Sequence, residues 1–202
     1  MMYLVLLTGG LASGKGTVRA QLERLGALSL DLDALARHEQ EAPAILQALR
    51  DSFGADILDG DGKLKRGLLA KRAFADREST EKLNAICWPP VVERLEQILG
   101  EIAVSNDNRL VVIEVPLLVE SGALLDRTQE VLTIAAPEEL RLKRAIDRGM
   151  NPDDARRRLA QQATDDARAA ISDTIFFNDG SLADLESQVS TWYEQRRGEG
   201  AF

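Results

Sequence analysis

Five apolar residues, Tyr3-Leu4-Val5-Leu6-Leu7, run almost directly into the nonapeptide GGLASGKGT at Gly9 to Thr17, and the helical spacing Val18, Leu22, Leu25 follows. A buried strand, a glycine-rich turn and an amphipathic helix in that order make a phosphate-binding loop. Gly9, four further residues, then Gly14 and Lys15 leave the backbone N–H groups of Gly10, Leu11, Ala12, Ser13, Gly14, Lys15, Gly16 and Thr17 to wrap around phosphate oxygens. The helix beginning near Gly14 adds the positive end of its dipole, and Lys15 reaches the outer phosphates as a point charge. The competing reading is a glycine turn that binds nothing; the flanking strand and helix weigh against it.

The residue after the lysine is Ser or Thr in the strict pattern, where its hydroxyl binds magnesium. Here it is Gly16, and the hydroxyl arrives one place later at Thr17. This GKGT variant resembles small-molecule kinases of the adenylate kinase type, in which water supplies much of the metal shell. No guanine-reading NKxD motif is present, which argues against a GTPase switch.

With 202 residues the chain is long enough for one sizeable core carrying small inserted subdomains. A net charge of −8 argues against nucleic acid or an anionic membrane as partner. No apolar stretch approaches the ~20 residues that span a bilayer, and the first residues lack the basic and apolar regions of a secretory signal. Cys87 is the only cysteine, so no internal disulfide forms. The simplest reading is a cytoplasmic protein, compatible with a monomer.

Near-continuous apolar runs at Tyr3 to Leu7, Ala27 to Leu30, Leu110 to Val115, Val131 to Ala135 and Thr174 to Phe177 read as parallel strands buried on both faces. Helical patterns separate them, so the expected fold is α/β: a three-layer, five-stranded, doubly wound parallel sheet. Two segments exceed a simple crossover. About eighty residues lie between the second and third strands, and a second insertion covers about 138–172, where Asn151 caps a helix started by Pro152. The expected division is a core of about 1–32, 97–137 and 173–202, a first insertion of about 33–96, and the second insertion of about 138–172. Ser181 caps a last helix with Leu182, Leu185, Val189 and Trp192 on one apolar face, and residues from Arg196 to Phe202 read as a frayed tail. Trp88-Pro89-Pro90 reads as a helix break with the indole packed in the core, the alternative being that it lines a substrate pocket.

Asp31 and Asp33 close the second strand in the run LSLDLDALA, and strand alternation would send both carboxylates to one side. One of them can accept the proton of an attacking hydroxyl while the other holds magnesium-bound water. The plain alternative makes both the cap and first turn of the next helix. Glu114 ends the third strand and has two readings of similar weight, a water-mediated magnesium contact or a structural acid. The second insertion carries eight Lys or Arg against seven Asp or Glu, so +1 there and −9 elsewhere. Closure over a triphosphate calls for guanidinium groups, and Arg144 and Arg148, four apart, are the preferred pair. Arg156, Arg157 and Arg158 point in three directions, so at least one is a solvated surface residue. His38, the only histidine, reads as a helix-surface residue, which excludes a histidine metal site or triad.

The segments LTGGLASGKGTV, LDLDALARH, FGADILDGDGKLKRGLLAKRAF, LNAICWPPV, VPLLVESG, LRLKRAIDR, AQQATDDARAAISD and NDGSLADL together resemble the dephospho-CoA kinase family over nearly the whole chain. That resemblance implies a phosphate-loop kinase fold in which ATP, with Mg2+, phosphorylates the ribose 3′-hydroxyl of dephospho-CoA to give CoA and ADP. It implies a substrate subdomain after Asp33 and a mobile lid near Arg144 to Arg168. It makes Asp33 the base or positioning acid, Lys15 the β,γ-phosphate bridge, Arg144 and Arg148 lid contacts, and Asn178 a neighbour of the adenine. Thr17, Asp31 and Glu114 are the candidate metal contacts. The family has Gly where Ala12 stands, Ser where Gly16 stands, and His where Trp88 stands; Ala12 fits provided its φ is negative. A kinase for another nucleotide or small alcohol, or a nucleotide-binding module without catalysis, are the alternatives that these departures leave open.

Overall fold

A computed structural model describes residues 2–104, 108–122 and 124–202. Five parallel strands form one sheet: β1 Met2–Gly9, β2 Leu28–Asp31, β3 Arg109–Glu114, β4 Glu130–Ala135 and β5 Thr174–Phe177, in the order β2-β3-β1-β4-β5. All four pairings are parallel, and register places Leu7 beside Glu114, Asp31 beside Glu114, and Gly9 beside Ile134. β1 is central, and the chain crosses from its β3 side to its β4 side. The carboxyl end of β1 therefore opens at the place where the winding reverses, the ligand crevice of such sheets.

Alternate residues of β1 face opposite ways, and Leu4, Val5, Leu6 and Leu7 are all buried. Burial on both faces explains why the sequence runs apolar without alternation. Helix α1, Lys15–Arg24, supplies Val18 and Leu22 to one face; the last helix supplies Leu185, Val189, Trp192 and Tyr193 to the same cluster. Phe176 of β5 meets Trp192 edge-on, with ring centres 6.3 Å apart.

The chain forms two compact units, Met1–Asp31 with Ser105–Phe202, and Leu32–Val104. The second unit holds α2 Leu32–Glu39, α3 Pro43–Phe53, a 3-10 turn at Ala55–Ile57, α4 Arg66–Ala73 and α5 Arg77–Val104. Its own core is Leu49, Phe53, Ile57, Leu69, Ala73 and Cys87. Burial raises the Cys87 thiol pKa, which keeps it protonated.

Helix α5 corrects the expected break, since it runs unbroken through Pro89 and Pro90. Each mid-helix proline removes one backbone bond and costs ~3 kcal/mol. Beyond them Val91, Leu95 and Leu99 recur at helical spacing and are buried. Burying each such side chain contributes about 1.5–3 kcal/mol, enough to hold the helix across the interruption. Trp88 is also corrected: its side chain is 40% exposed rather than packed in the core.

After β3 come α6 Leu118–Ser121, α7 Glu138–Asp147, α8 Pro152–Gln161, α9 Asp165–Ala169 and α10 Leu182–Gly198. The side chains of Glu120 and Ser121, within the VPLLVESG run, lie outside the described residues. Asn151 caps α8 by accepting the N–H groups of Asp153 and Asp154. Ser181 and Asp184 form a reciprocal capping box on α10. Leu182 departs from the expected apolar face; it opens the helix and is 59% exposed, while Leu185, Val189 and Trp192 are buried.

The carboxyl-terminal residues are not frayed. Phe202 packs against Tyr3 and Tyr193 at ring distances of 6.0 and 5.2 Å. Arg196 reaches Glu130, a buried carboxylate that also accepts hydrogen bonds from Tyr3, Thr174 and Trp192. On the open edge of β5, the Gln188 amide accepts the N–H of Phe177 at 2.9 Å and donates to its carbonyl at 2.8 Å. That side chain replaces a neighbouring strand and fixes the backbone beside Asn178.

Candidate active site

The strand-to-helix turn at the end of β1 is shaped by close contacts. A β-carbon at Gly9 would lie 2.6 Å from the Ile134 carbonyl, and Gly9 and Gly14 have φ of +150° and +114°. Neither position admits a side chain. Gly14 is the N-cap of α1, whose first turn carries no acidic residue, so its leading amides face no internal anion from that turn. The Lys15 ammonium donates to the carbonyls of Gly9 at 2.9 Å and Gly10 at 3.1 Å, which draws it across the mouth of the loop. The hydroxyls of Thr8 and Ser13 are buried without a hydrogen-bond partner. A ring of amides, an ammonium and a helix start is an anion cradle.

Ala12 overturns the condition placed on it. Its φ is +56°, in the left-handed region, which costs a non-glycine residue roughly 1–2 kcal/mol. Gly16 has the opposite character, since a β-carbon there would meet nothing within 4 Å. Space does not require a glycine at that position.

The second insertion meets the loop through residues that the sequence reading did not rank. Arg141 is buried and lies against Gly10, where an added β-carbon would come within 2.0 Å of Nη1. Its Nε donates to the Ala136 carbonyl at 2.9 Å, and Nη2 pairs with Asp165 at 3.2 Å. Asp165 also accepts from Arg168 at 2.9 Å; Arg168 is buried, with one guanidinium nitrogen lacking a partner. Gln162, just beyond α8, accepts the Leu11 N–H at 2.8 Å. The loop contacts of Arg141 and Gln162 span 131 and 151 residues, so they leave no local signature.

Arg144 and Arg148 stand in different settings in this structure. Arg144 donates to the Asn178 backbone oxygen at 3.0 Å and to its Oδ1 at 3.2 Å, which turns the Asn178 Nδ2 onto the Ser13 carbonyl at 2.7 Å. Arg148 is the exposed C-cap after α7 has ended. Arg156, Arg157 and Arg158 are all exposed, the first two paired with Asp153 and Asp154 within their own helix.

Asp31 and Glu114 sit side by side at the carboxyl ends of β2 and β3. Glu114 Oε2 lies 3.2 Å from Arg19 Nε, so this carboxylate carries an internal counter-charge. Asp33 does not continue the strand, which overturns the alternation argument. The strand stops at Asp31, and Asp33 is an exposed first-turn residue of α2 in the second compact unit. His38 is exposed on the same helix. Among the described residues, no three His, Cys, Asp or Glu side chains gather as a metal cage. Asp31 and Glu114 are hard oxygen donors of the kind a hydrated magnesium ion takes, and Glu114 already has Arg19 as its counter-charge.

Comparison with known proteins agrees with this geometry. Residues 3–184 match the family model described as dephospho-CoA kinase. A Dephospho-CoA kinase from Corynebacterium jeikeium is 40% identical over 195 residues, spanning 95% of this chain and 98% of that protein. The crystal structure of TT1252 from Thermus thermophilus superposes with a TM-score of 0.83 at 31% identity, over 96% of this chain and 97% of that one. Dephospho-CoA kinase from Campylobacter jejuni superposes with a TM-score of 0.72 at 25% identity over 100% of both chains. With the loop, the second unit and the second insertion all inside the matched span, the chain belongs to the dephospho-CoA kinase family.

Proposed function

We propose that this kinase transfers the γ-phosphoryl group of ATP to the ribose 3′-hydroxyl of dephospho-CoA, releasing CoA and ADP. The observation that carries the reading is the phosphate cradle at Gly9 to Thr17 with Arg141 against Gly10 and Arg144 on Asn178. Phosphoryl transfer asks a protein mainly for positioning and for stabilising charge on the moving group. The loop amides and Lys15 hold the β- and γ-phosphates. Asp33 accepts or orients the proton of the attacking hydroxyl, which also fixes the line of attack. Arg144, joined by Arg148 when the second insertion closes as a lid, offsets charge on the transferred group and excludes water. Asn178 borders the adenine. Magnesium, held by the nucleotide with Thr17, Asp31 and Glu114 mostly through water, would neutralise phosphate charge. The first insertion, about 33–96, holds the acceptor.

No described helix is long and apolar enough to cross a membrane. A cytoplasmic location, with a soluble small molecule as acceptor, is part of the proposal.

The test is ADP release with Mg-ATP and dephospho-CoA, beside AMP, other nucleosides and no acceptor. Turnover confined to dephospho-CoA, with CoA as product, is the expected result. Turnover on a different acceptor alone would reassign the substrate, and nucleotide binding without turnover would make the chain a binding module.

A further inference from the structure

Ala12 stands at the crest of the phosphate loop with φ +56°. Two side-chain amides grip the backbone on either side of it. Gln162 Oε1 accepts the N–H of Leu11 at 2.8 Å, and Asn178 Nδ2 donates to the carbonyl of Ser13 at 2.7 Å. The Asn178 side chain is itself held, and so is the backbone that bears Gln162. Arg144 bonds both oxygens of Asn178. Gln162 lies in the short link between α8 and α9, its N–H on the Leu159 carbonyl at 3.2 Å. The next helix begins at Asp165, which is clamped by Arg141 and Arg168. A non-glycine residue stays left-handed only where its surroundings over-determine it.

We infer that Gln162, paired with Asn178 across Ala12, is a positioning residue that holds the crest of the loop in its left-handed turn and thereby aims the amides of Gly14 to Thr17 at phosphate. The role matters more in this chain because Ala12 resists a turn that glycine would adopt freely. It also ties the second insertion to nucleotide affinity, since Gln162 lies in the link between α8 and α9 of that insertion. The inference rests on the nucleotide-binding reading of the loop given above.

Calorimetric titration with ADP tests it on the wild type, Gln162→Leu, Ala12→Gly and the double variant, with melting temperatures recorded alongside. Losing the Gln162 acceptor should raise the ADP dissociation constant about tenfold, the scale of a ~1.4 kcal/mol strain no longer supported. In the Ala12→Gly background the same substitution should cost about twofold or less, since glycine removes the strain. Gln162→Met, of similar length and also lacking the acceptor, repeats the measurement if the leucine variant does not fold. An equal loss in both backgrounds, or no loss in either, overturns the inference. A merely structural role would lower the melting temperature without suppression by Ala12→Gly. Because no acceptor is present in the titration, failure to phosphorylate dephospho-CoA is read in a separate assay.

Discussion

Replacing Glu130 by Gln should destabilise the protein strongly, although residue 130 opens β4, at the end of the sheet opposite the phosphate loop. Glu130 is 2% exposed, and its carboxylate accepts from Tyr3 at 2.9 Å, Thr174 at 2.6 Å, Trp192 at 2.8 Å and Arg196 at 2.7 and 3.1 Å. A glutamine keeps one acceptor and turns the other oxygen into a donor. The Tyr3 and Thr174 hydroxyls can reverse their roles, but Trp192 and Arg196 only donate. One donor therefore faces another, and Arg196 loses its buried counter-charge. Breaking a buried pair in this way costs about 3–5 kcal/mol. The Arg196 side chain is 22% exposed and also reaches Glu199, so it retains some compensation. The expected loss is ~2–3 kcal/mol, or a fall of about 5–10 °C in melting temperature for a chain of this size.

The pH dependence fixes the cause. Burial alone would raise the Glu130 pKa, but hydrogen bonds from Arg196, Thr174, Trp192 and Tyr3 outweigh it and hold the carboxyl below its usual value. A depressed carboxylate pKa stabilises the fold above the unfolded value near ~4.3, and that contribution is lost as pH falls through the folded value. Urea unfolding followed from pH 8 down to 3.5 should therefore give a constant gap between wild type and variant down to about pH 5, narrowing below about 4. A gap under ~0.5 kcal/mol at neutral pH, or one that widens in acid, would refute the reasoning.

Lys15→Ala and Asp33→Ala should each lower turnover by ~100-fold or more in a coupled ADP assay; near-normal turnover in either would remove its assigned role. Gly10→Ala pushes a methyl group to 2.0 Å from Arg141 Nη1, where Ala136 and Asp165 already tether the guanidinium. Disturbing a charge-assisted bond at ~1.5–3 kcal/mol should weaken ADP binding about tenfold or more, and a change within about twofold would count against that packing. Gly16→Ser enters open space in the first turn of α1 and should change stability by no more than ~0.5 kcal/mol in a thermal melt. A loss above ~1 kcal/mol would mean that the glycine is required after all.

The inner strands β1, β3 and β4 were legible because burial on both sheet faces leaves apolar runs. The edge strands β2 and β5 are also apolar but are not buried on both faces, since β2 has no fully buried residue and Phe177 is 58% exposed. Asn151 and Ser181 were legible as caps because a cap bonds to amides two or three residues away. Pro89 and Pro90 misled because local rules weigh the lost backbone bonds and not the burial of Val91, Leu95 and Leu99 beyond them. Asp33 was singled out on strand alternation, yet the strand ends two residues earlier. The carboxyl-terminal turn looked free because its partners, Glu130 and Tyr3, are far away in the chain.

The sequence by itself determined the cradle: the glycine spacing, Lys15 and the adjoining strand and helix are local features, and their chemistry follows from residue type and order. It also carried the family, through motifs spread along the chain. Tertiary structure alone decided which side chains complete the cradle. Arg141, Gln162 and Asn178 reach the loop from 131, 151 and 165 residues away, and Ala12 became left-handed between two of them. Such contacts depend on how the sheet brings the ends of β1, β4 and β5 together, and no local pattern of residues records that arrangement.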